Sequence, residues 1–420
     1  MTIAKNAIVL ALVAFISVPA MAKDEAVDLR GAYSAAIKKT EVIPIEESQR
    51  KQYESLVNQA KSAFAPSLSA GVSLGLGDPG NFSGVAGAAS FGLNAVQPIY
   101  QGGKFEASLA AAQSGKLANE LSQKASRVAL FSAVSHAYSQ ILMTEQDIKN
   151  LKFIITQTDE IITELTKRVN IGKSKQSEVL MARSQQAVQQ SELKTIEGNL
   201  ESSRELFAFL TGLKSETKLT DVGASLPQPK GKLGYYLELV KNRPDIGYFN
   251  ANIEVNRQLI KAEAAANAPQ LSLFGDFYPY RTGSNHDIYW DAGIGINLNL
   301  FNGDLTSSRI FGAEAKLKES ELDLDKQMRQ DITEIKTAYK NYVSLKGQVD
   351  SLENALSITK KNYEVQKQDY IYGLVTNLDV LQAFNTLQST KRSFDKTRYM
   401  VFSAWTDVLA STNQLPEGDK

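Results

Sequence analysis

The chain has 420 residues, 46 basic and 46 acidic side chains, 43% hydrophobic residues and no cysteine. The balanced charge leaves no net field to draw nucleic acid or an anionic membrane face. The missing cysteine excludes disulfides, thiolate metal sites, thiol nucleophiles and an acylated N-terminal cysteine.

Residues 1–22 read as a secretory signal. Lys5 gives the positive start, residues 7–18 are mostly apolar, and Ala20-Met21-Ala22 is a small-x-small cleavage site. The apolar run is shorter than the ~20 residues a spanning helix needs, and no later segment is long and apolar enough to span. An exported chain of this kind is soluble, surface-attached or a β-barrel.

Residues 28–64 read as helical and stop at Pro66, which has no backbone donor. Beyond it the period changes to two. Leu68, Ala70, Val72, Leu74 and Leu76 alternate with Ser67, Ser69, Gly71, Ser73 and Gly75, a strand with one apolar and one small polar face. Asp78-Pro79-Gly80-Asn81 turns the chain, and residues 85–97 return as a second strand. A proline-free helix follows over residues 104–169. Ile141, Ile148, Ile155 and Ile162 recur in it every seven residues, with Leu151 and Leu165 beside them, which is coiled-coil packing. About 66 residues at ~1.5 Å each make a rod of ~100 Å. A sharp break at Gly172 leads into another helix.

The second half repeats the first. At a displacement of 201 residues Gly102 meets Gly303, Ala137-Tyr138 meets Ala338-Tyr339, Gly172 meets Gly373, and Val179-Leu180 meets Val380-Leu381. Ala65-Pro66 meets Ala268-Pro269 at a displacement of 203. The chain therefore divides into repeats over residues 23–225 and 226–420, each ordered helix, hairpin, long helix, helix. The second hairpin comprises strands over residues 270–280 and 288–301, with Tyr278, Tyr280, Tyr289 and Trp290 crowding its end. The second seam is Tyr342, Val349, Leu356 and Tyr363, with Leu345 and Leu352.

Alternating strands of this length with aromatic girdles are the pattern of outer-membrane barrels. Four strands cannot close such a barrel, and an open edge in hydrocarbon leaves backbone groups unpaired. The chain is thus expected to oligomerise, and strand counting alone admits dimer, trimer or tetramer. The fold class expected is a membrane α+β protein with a duplicated helix–hairpin–long helix–helix repeat.

Three junctions carry a resemblance. Gln97-Pro98-Ile99-Tyr100-Gln101-Gly102-Gly103, Asn242-Arg243-Pro244-Asp245-Ile246 and Leu300-Phe301-Asn302-Gly303 are similar to those of TolC-like outer-membrane efflux proteins. So are the helix breaks Asn170-Ile171-Gly172 and Tyr370-Ile371-Tyr372-Gly373. The resemblance implies a homotrimer whose twelve-stranded β-barrel, set in outer-membrane lipid, continues as a periplasmic α-helical barrel. It also implies a periplasmic adaptor (membrane fusion) protein and an inner-membrane pump as partners. The function it implies is an exit duct for a tripartite efflux pump or type I secretion system, without an enzymatic role or a cofactor. Drug, metal and protein cargo stay open.

In such proteins the helix breaks form the periplasmic entrance. The resemblance places Tyr370 at the tyrosine of the closing lock, Glu178 at its acid and Ser177 at the adjoining hydroxyl. Gly172, Lys173, Gly373 and Leu374 become the adaptor-contacting tips. The family's arginine is Val375 here, so the lock is expected to be looser or built differently. Asp379 keeps one of two acids in an entrance ring, and Gln382 replaces the other. Each acid also has a local reading: Thr376 and Asp379 have capping-box spacing, and Glu178 lies in a first turn, where the helix dipole favours an acid.

Other chemistry has little support. Gly172-Lys173-Ser174 imitates a phosphate loop, but the required glycine five residues earlier is Lys167. His136 and His286 have no partners at metal-ligand spacing. The rival architecture is a periplasmic coiled-coil adaptor or scaffold without a barrel, which leaves the duplicated hairpins unexplained.

Overall fold

The computed structural model describes residues 26–77, 86–221, 231–282 and 287–415. The signal segment, the turn at residues 78–81, His286 and residues 222–230 between the repeats lie outside the described residues.

The first repeat contains α1 (Leu29–Lys39), α2 (Val42–Ser62), β1 (Ser67–Gly77), β2 (Ala86–Gln101), α3 (Lys104–Asn170) and α4 (Gln176–Thr211). The second contains α5 (Leu233–Glu238), α6 (Pro244–Ala264), β3 (Gln270–Arg281), β4 (Trp290–Asn297), α7 (Leu305–Ile371) and α8 (Asn377–Ser411). The helix expected over residues 28–64 is two helices. Thr40 is extended between them (φ −106, ψ −178), because Pro44 cannot donate to the Thr40 carbonyl and its ring would strike it.

The strands form one antiparallel sheet in the order β1-β2-β3-β4. Strand β2 runs past its expected end to Gln101, passing Pro98 through an irregularity between Pro98 and Tyr100, since proline cannot contribute a ladder donor. Strand β4 ends at Asn297 rather than 301. Asn297 already faces Gln270, the first residue of β3, so residues 298–301 overrun the partner strand. Tyr278 lies on the polar face, over Gly92 and under the Arg281 guanidinium, 4.5 Å from its ring centre, and a second irregularity between Phe91 and Leu93 turns Tyr280 to the apolar face opposite Phe91. The apolar face is open to the surroundings: Leu74 is 80%, Leu76 83% and Ile296 74% exposed.

The helices lie side by side. Beside the sheet, α6 packs between α3 and α7; farther away, α8 takes that place and α4 covers the other side of α3. The main core sits where these sets meet, around Tyr33, Phe131, Tyr138, Phe207, Tyr236, Ile335, Trp405 and Leu409. Tyr138 donates to the carbonyls of Val27 and Thr220, which ties the start of the chain to the segment after α4. Arg243, just before α6, donates to the Ser411 carbonyl at the end of α8 (2.7 Å) and pairs with Asp245 and the buried Asp331 of α7. One cation thus joins three helices.

The coiled-coil seam of α3 is buried at Ile141, Ile148, Leu151, Ile162 and Leu165. Ile155 is half-buried, and Ile154 takes its place in the core. The matching seam of α7 is buried only at Tyr342 and Leu345. The cause is one-sided packing: α3 has helices on both flanks and α7 on one.

Candidate functional site

Both long helices end at the pole opposite the sheet, and they end in the same way. Gly172 (φ +72) and Gly373 (φ +76) adopt the left-handed conformation that costs other residues roughly 1–2 kcal/mol. At the first tip the N–H groups of Gly172 and Lys173 donate to Val169 (3.0 Å) and Arg168 (2.8 Å). At the second, those of Gly373 and Leu374 donate to Tyr370 (3.2 Å) and Asp369 (3.0 Å). Each is a Schellman turn satisfying the last carbonyls of its helix. Lys173 and Leu374 stand exposed on the two turns, between exposed Ile171 on one and exposed Ile371 and Tyr372 on the other.

The helices that leave the tips begin differently. Thr376 and Asp379 form a reciprocal capping box on α8. The Asp379 carboxylate accepts from the Thr376 N–H (2.8 Å) and hydroxyl (2.6 Å), and these bonds hold it below the ordinary carboxylate value. Glu178, in the first turn of α4, accepts from the Ser174 hydroxyl at 2.8 Å. Ser177 is exposed beside it.

The Arg168 guanidinium, in the last turn of α3, lies 4.6 Å from the Tyr370 ring centre, and Glu164 accepts from Arg168 Nε at 2.9 Å. The Glu164 bond leads in holding the guanidinium firmly protonated, with a smaller contribution from Tyr370. Arg168 and Tyr370 border a groove of about 320 Å³ with Leu165, Tyr363, Asn377 and Val380. Sequence reading missed Arg168. A cation resting on an aromatic ring 202 residues away leaves no spacing signature.

Farther up, His136 joins Asp407 (2.9 Å) and the Ser403 hydroxyl (3.1 Å), so it ties α3 to α8. The Asp407 bond raises its pKa above the ordinary value. Arg392 of α8 similarly holds Asp147 of α3 (2.6 Å) and Glu192 of α4 (2.7 Å). Among the described residues no helix is long and apolar enough to cross a membrane, and no cluster of three or more His, Asp or Glu could hold a metal.

Alkaline protease secretion protein AprF of Pseudomonas aeruginosa is 23% identical over 188 residues, 44% of this chain and 39% of its own length. Thus the chain matches about two-fifths of that relative. Outer membrane protein TolC of Escherichia coli is 22% identical over 393 residues, covering 86% of this chain and 77% of TolC. The outer membrane protein VceC of Vibrio cholerae superposes with a TM-score of 0.79 at 20% identity, covering 91% of this chain and 95% of VceC. A family model described as outer membrane efflux protein matches residues 45–213 and 236–414, one match in each repeat. The chain belongs to the outer membrane efflux protein family.

Proposed function

We propose that this outer-membrane protein is the exit duct of an efflux or secretion system, assembled as a homotrimer with a twelve-stranded barrel above a helical tunnel. The observation that carries this reading is a set of unfinished edges that the repeat itself completes. Strands β1 and β4 are the two sheet edges. On α7, Phe311, Leu322, Val343, Ile358 and Val365 stay exposed, whereas α3 is flanked on both sides. Around Gly102, an added Cβ would lie 2.6 Å from the Ala265 carbonyl and the Ala268 side chain; around Gly303, its mate in the repeat, nothing lies within 4 Å. A second copy supplying β1, α2 and α4 would meet all these edges with surfaces already used inside the chain.

The pairing of β2 with β3 then dictates the pairing between copies. Ala95 faces Gly275; carried through the repeat, this sets Ile296 of one subunit opposite Val72 of the next. Both lie on the apolar face that lipid would cover. The test uses the absence of native cysteine: Val72→Cys with Ile296→Cys, oxidised in outer-membrane vesicles, is expected to give disulfide-linked dimer and trimer. Linkage only at pairs shifted by two residues, or no linkage, contradicts the register.

In this reading the tips form the periplasmic entrance, with Tyr370, Glu178, Ser177 and Asp379 around it. Gly172, Lys173, Gly373 and Leu374 face a periplasmic adaptor that connects to an inner-membrane pump. The exposed apolar side chains on both turns suit such an end-on contact. AprF is an alkaline protease secretion protein; the duct reading for this chain accommodates drug, metal or protein cargo. No enzymatic step belongs to the proposal.

A further inference from the structure

We propose that each subunit carries, on the inner face of the tunnel wall, a binding niche for an amphiphilic organic cation, set where α6 and α8 meet end to end between α3 and α7. This deepens the exit-duct reading and rests on it. The niche is a cavity of about 810 Å³, a size that suits a small molecule. Its floor is small and apolar, built from Ala125, Ala129 and Ala133 of α3, Ala338 of α7 and Ala410 of α8. Its rim is acidic: Asp245, Glu334 and Asp407 stand against Arg243 and His136. Arg243 is already engaged by Asp245, by buried Asp331 and by Glu334 at 3.2 Å, and it donates to the Ser411 carbonyl. His136 offsets only Asp407, at 2.9 Å. The rim therefore stays negative even with His136 protonated. It repels an anion, and a neutral body would take water from the carboxylates without replacing it. A cation with an apolar body suits both rim and floor.

The niche faces the bore. On α3, Phe131, Val134 and Tyr138 point into the core shared with α1 and α5, whereas Ala129 and His136 lie on the opposite side of the helix. Twelve helices side by side at ~8–10 Å make a ring roughly 30–40 Å across. Three copies each of α1 and α5, ~10 Å wide, would fill that ring from within, so they lie outside and the niche opens inward. The repeat supplies an internal comparison. Carried 201 residues along, Ala125 and Ala129 become Lys326 and Gln330; carried back, Asp407 and Ala410 become Leu206 and Phe209. All four are exposed on the single subunit and would meet at the seam between α7 of one copy and α3 of the next. Long side chains fill the seam positions, and the hollow with its acid belongs to the junction inside each subunit. Wall geometry alone does not leave it open; the alanines do.

The test is equilibrium binding of ethidium, a flat apolar body with a positive charge, to trimers held in nanodiscs of zwitterionic lipid. Anilinonaphthalene sulfonate serves as an anion of similar size. Wild type is expected to bind ethidium saturably, one molecule per subunit, and the sulfonate is expected not to saturate. Ala129→Gln and Ala410→Phe copy the seam's own residues into the niche and should each weaken ethidium about tenfold by occupying its place. Glu334→Gln should weaken it about threefold, the effect of a partly exposed charge. Native mass spectrometry checks that each variant is still a trimer, and Ala133→Leu fills the same floor should either filled variant fail to assemble. No saturable ethidium binding by wild type, equal binding of the sulfonate, or unchanged affinity in either filled variant overturns the niche. Conductance in planar bilayers separates the two readings. A conducting trimer that binds no ethidium keeps the duct and loses the niche; one that binds ethidium but passes no current does the reverse.

Discussion

Asp379 performs a local task and is free to perform a second. Its carboxylate accepts from two groups of Thr376, which starts α8, and it remains exposed. Because those bonds favour the charged form, Asp379 stays ionised until pH falls below the ordinary carboxylate value of 3.8. In a trimer three such charges would favour cations at the entrance. Asp379→Asn is expected to move the reversal potential in a salt gradient toward zero, and the wild-type preference should persist through mildly acidic pH. An unchanged reversal potential confines Asp379 to capping. The capping box was legible from Thr376 and Asp379 alone, since a spacing of three positions within one turn fixes it. The contact of Arg168 with Tyr370 was not, because the two residues belong to different helices of different repeats and meet only in the fold.

At the scale of elements, the repeat made the hairpins, long helices and breaks readable from alternation, heptads and glycines. Three boundaries were missed for reasons present in the chain. Pro44 divides the first helix, Pro98 sits within a strand that continues past it, and β4 stops at Asn297 where its partner strand begins at Gln270. The seam of α3 drifts by one residue at Ile154 because an α-helix does not complete whole turns in seven residues. The joint of α6, α7 and α8 could not be read, as Arg243, Asp331 and Ser411 meet only in the fold. Burial pushes Asp331 up to about 6 from 3.8 despite the neighbouring Arg243. The folded protein therefore holds this proton more tightly than the unfolded chain. This residue's contribution to stability declines as pH rises from about 4 to 6 and is level above, by roughly 1–3 kcal/mol. Asp331→Asn should remove that slope from the thermal unfolding midpoint measured against pH. A slope that persists unchanged assigns the titration to another group.

At the scale of the molecule, the proposed trimer makes a single subunit one sector of a larger object. Its sheet has apolar side chains on one face and serine, glycine, asparagine and aspartate on much of the other. Its wall of helices ends in α7 with an uncovered apolar stripe. Hydrocarbon does not tolerate open sheet edges, and water does not favour so long an apolar stripe. Closure on copies of the same chain resolves both, and the repeat provides the surfaces to do it. Pattern alone could reach oligomerisation but not copy number, because eight, twelve and sixteen strands all make barrels; three copies came from the family resemblance. Native mass spectrometry of the detergent-extracted complex tests the closed trimer. A closed trimer gives one species with the mass of three mature chains that needs detergent to remain in solution. A monodisperse, water-soluble monomer would contradict both the barrel and the tunnel.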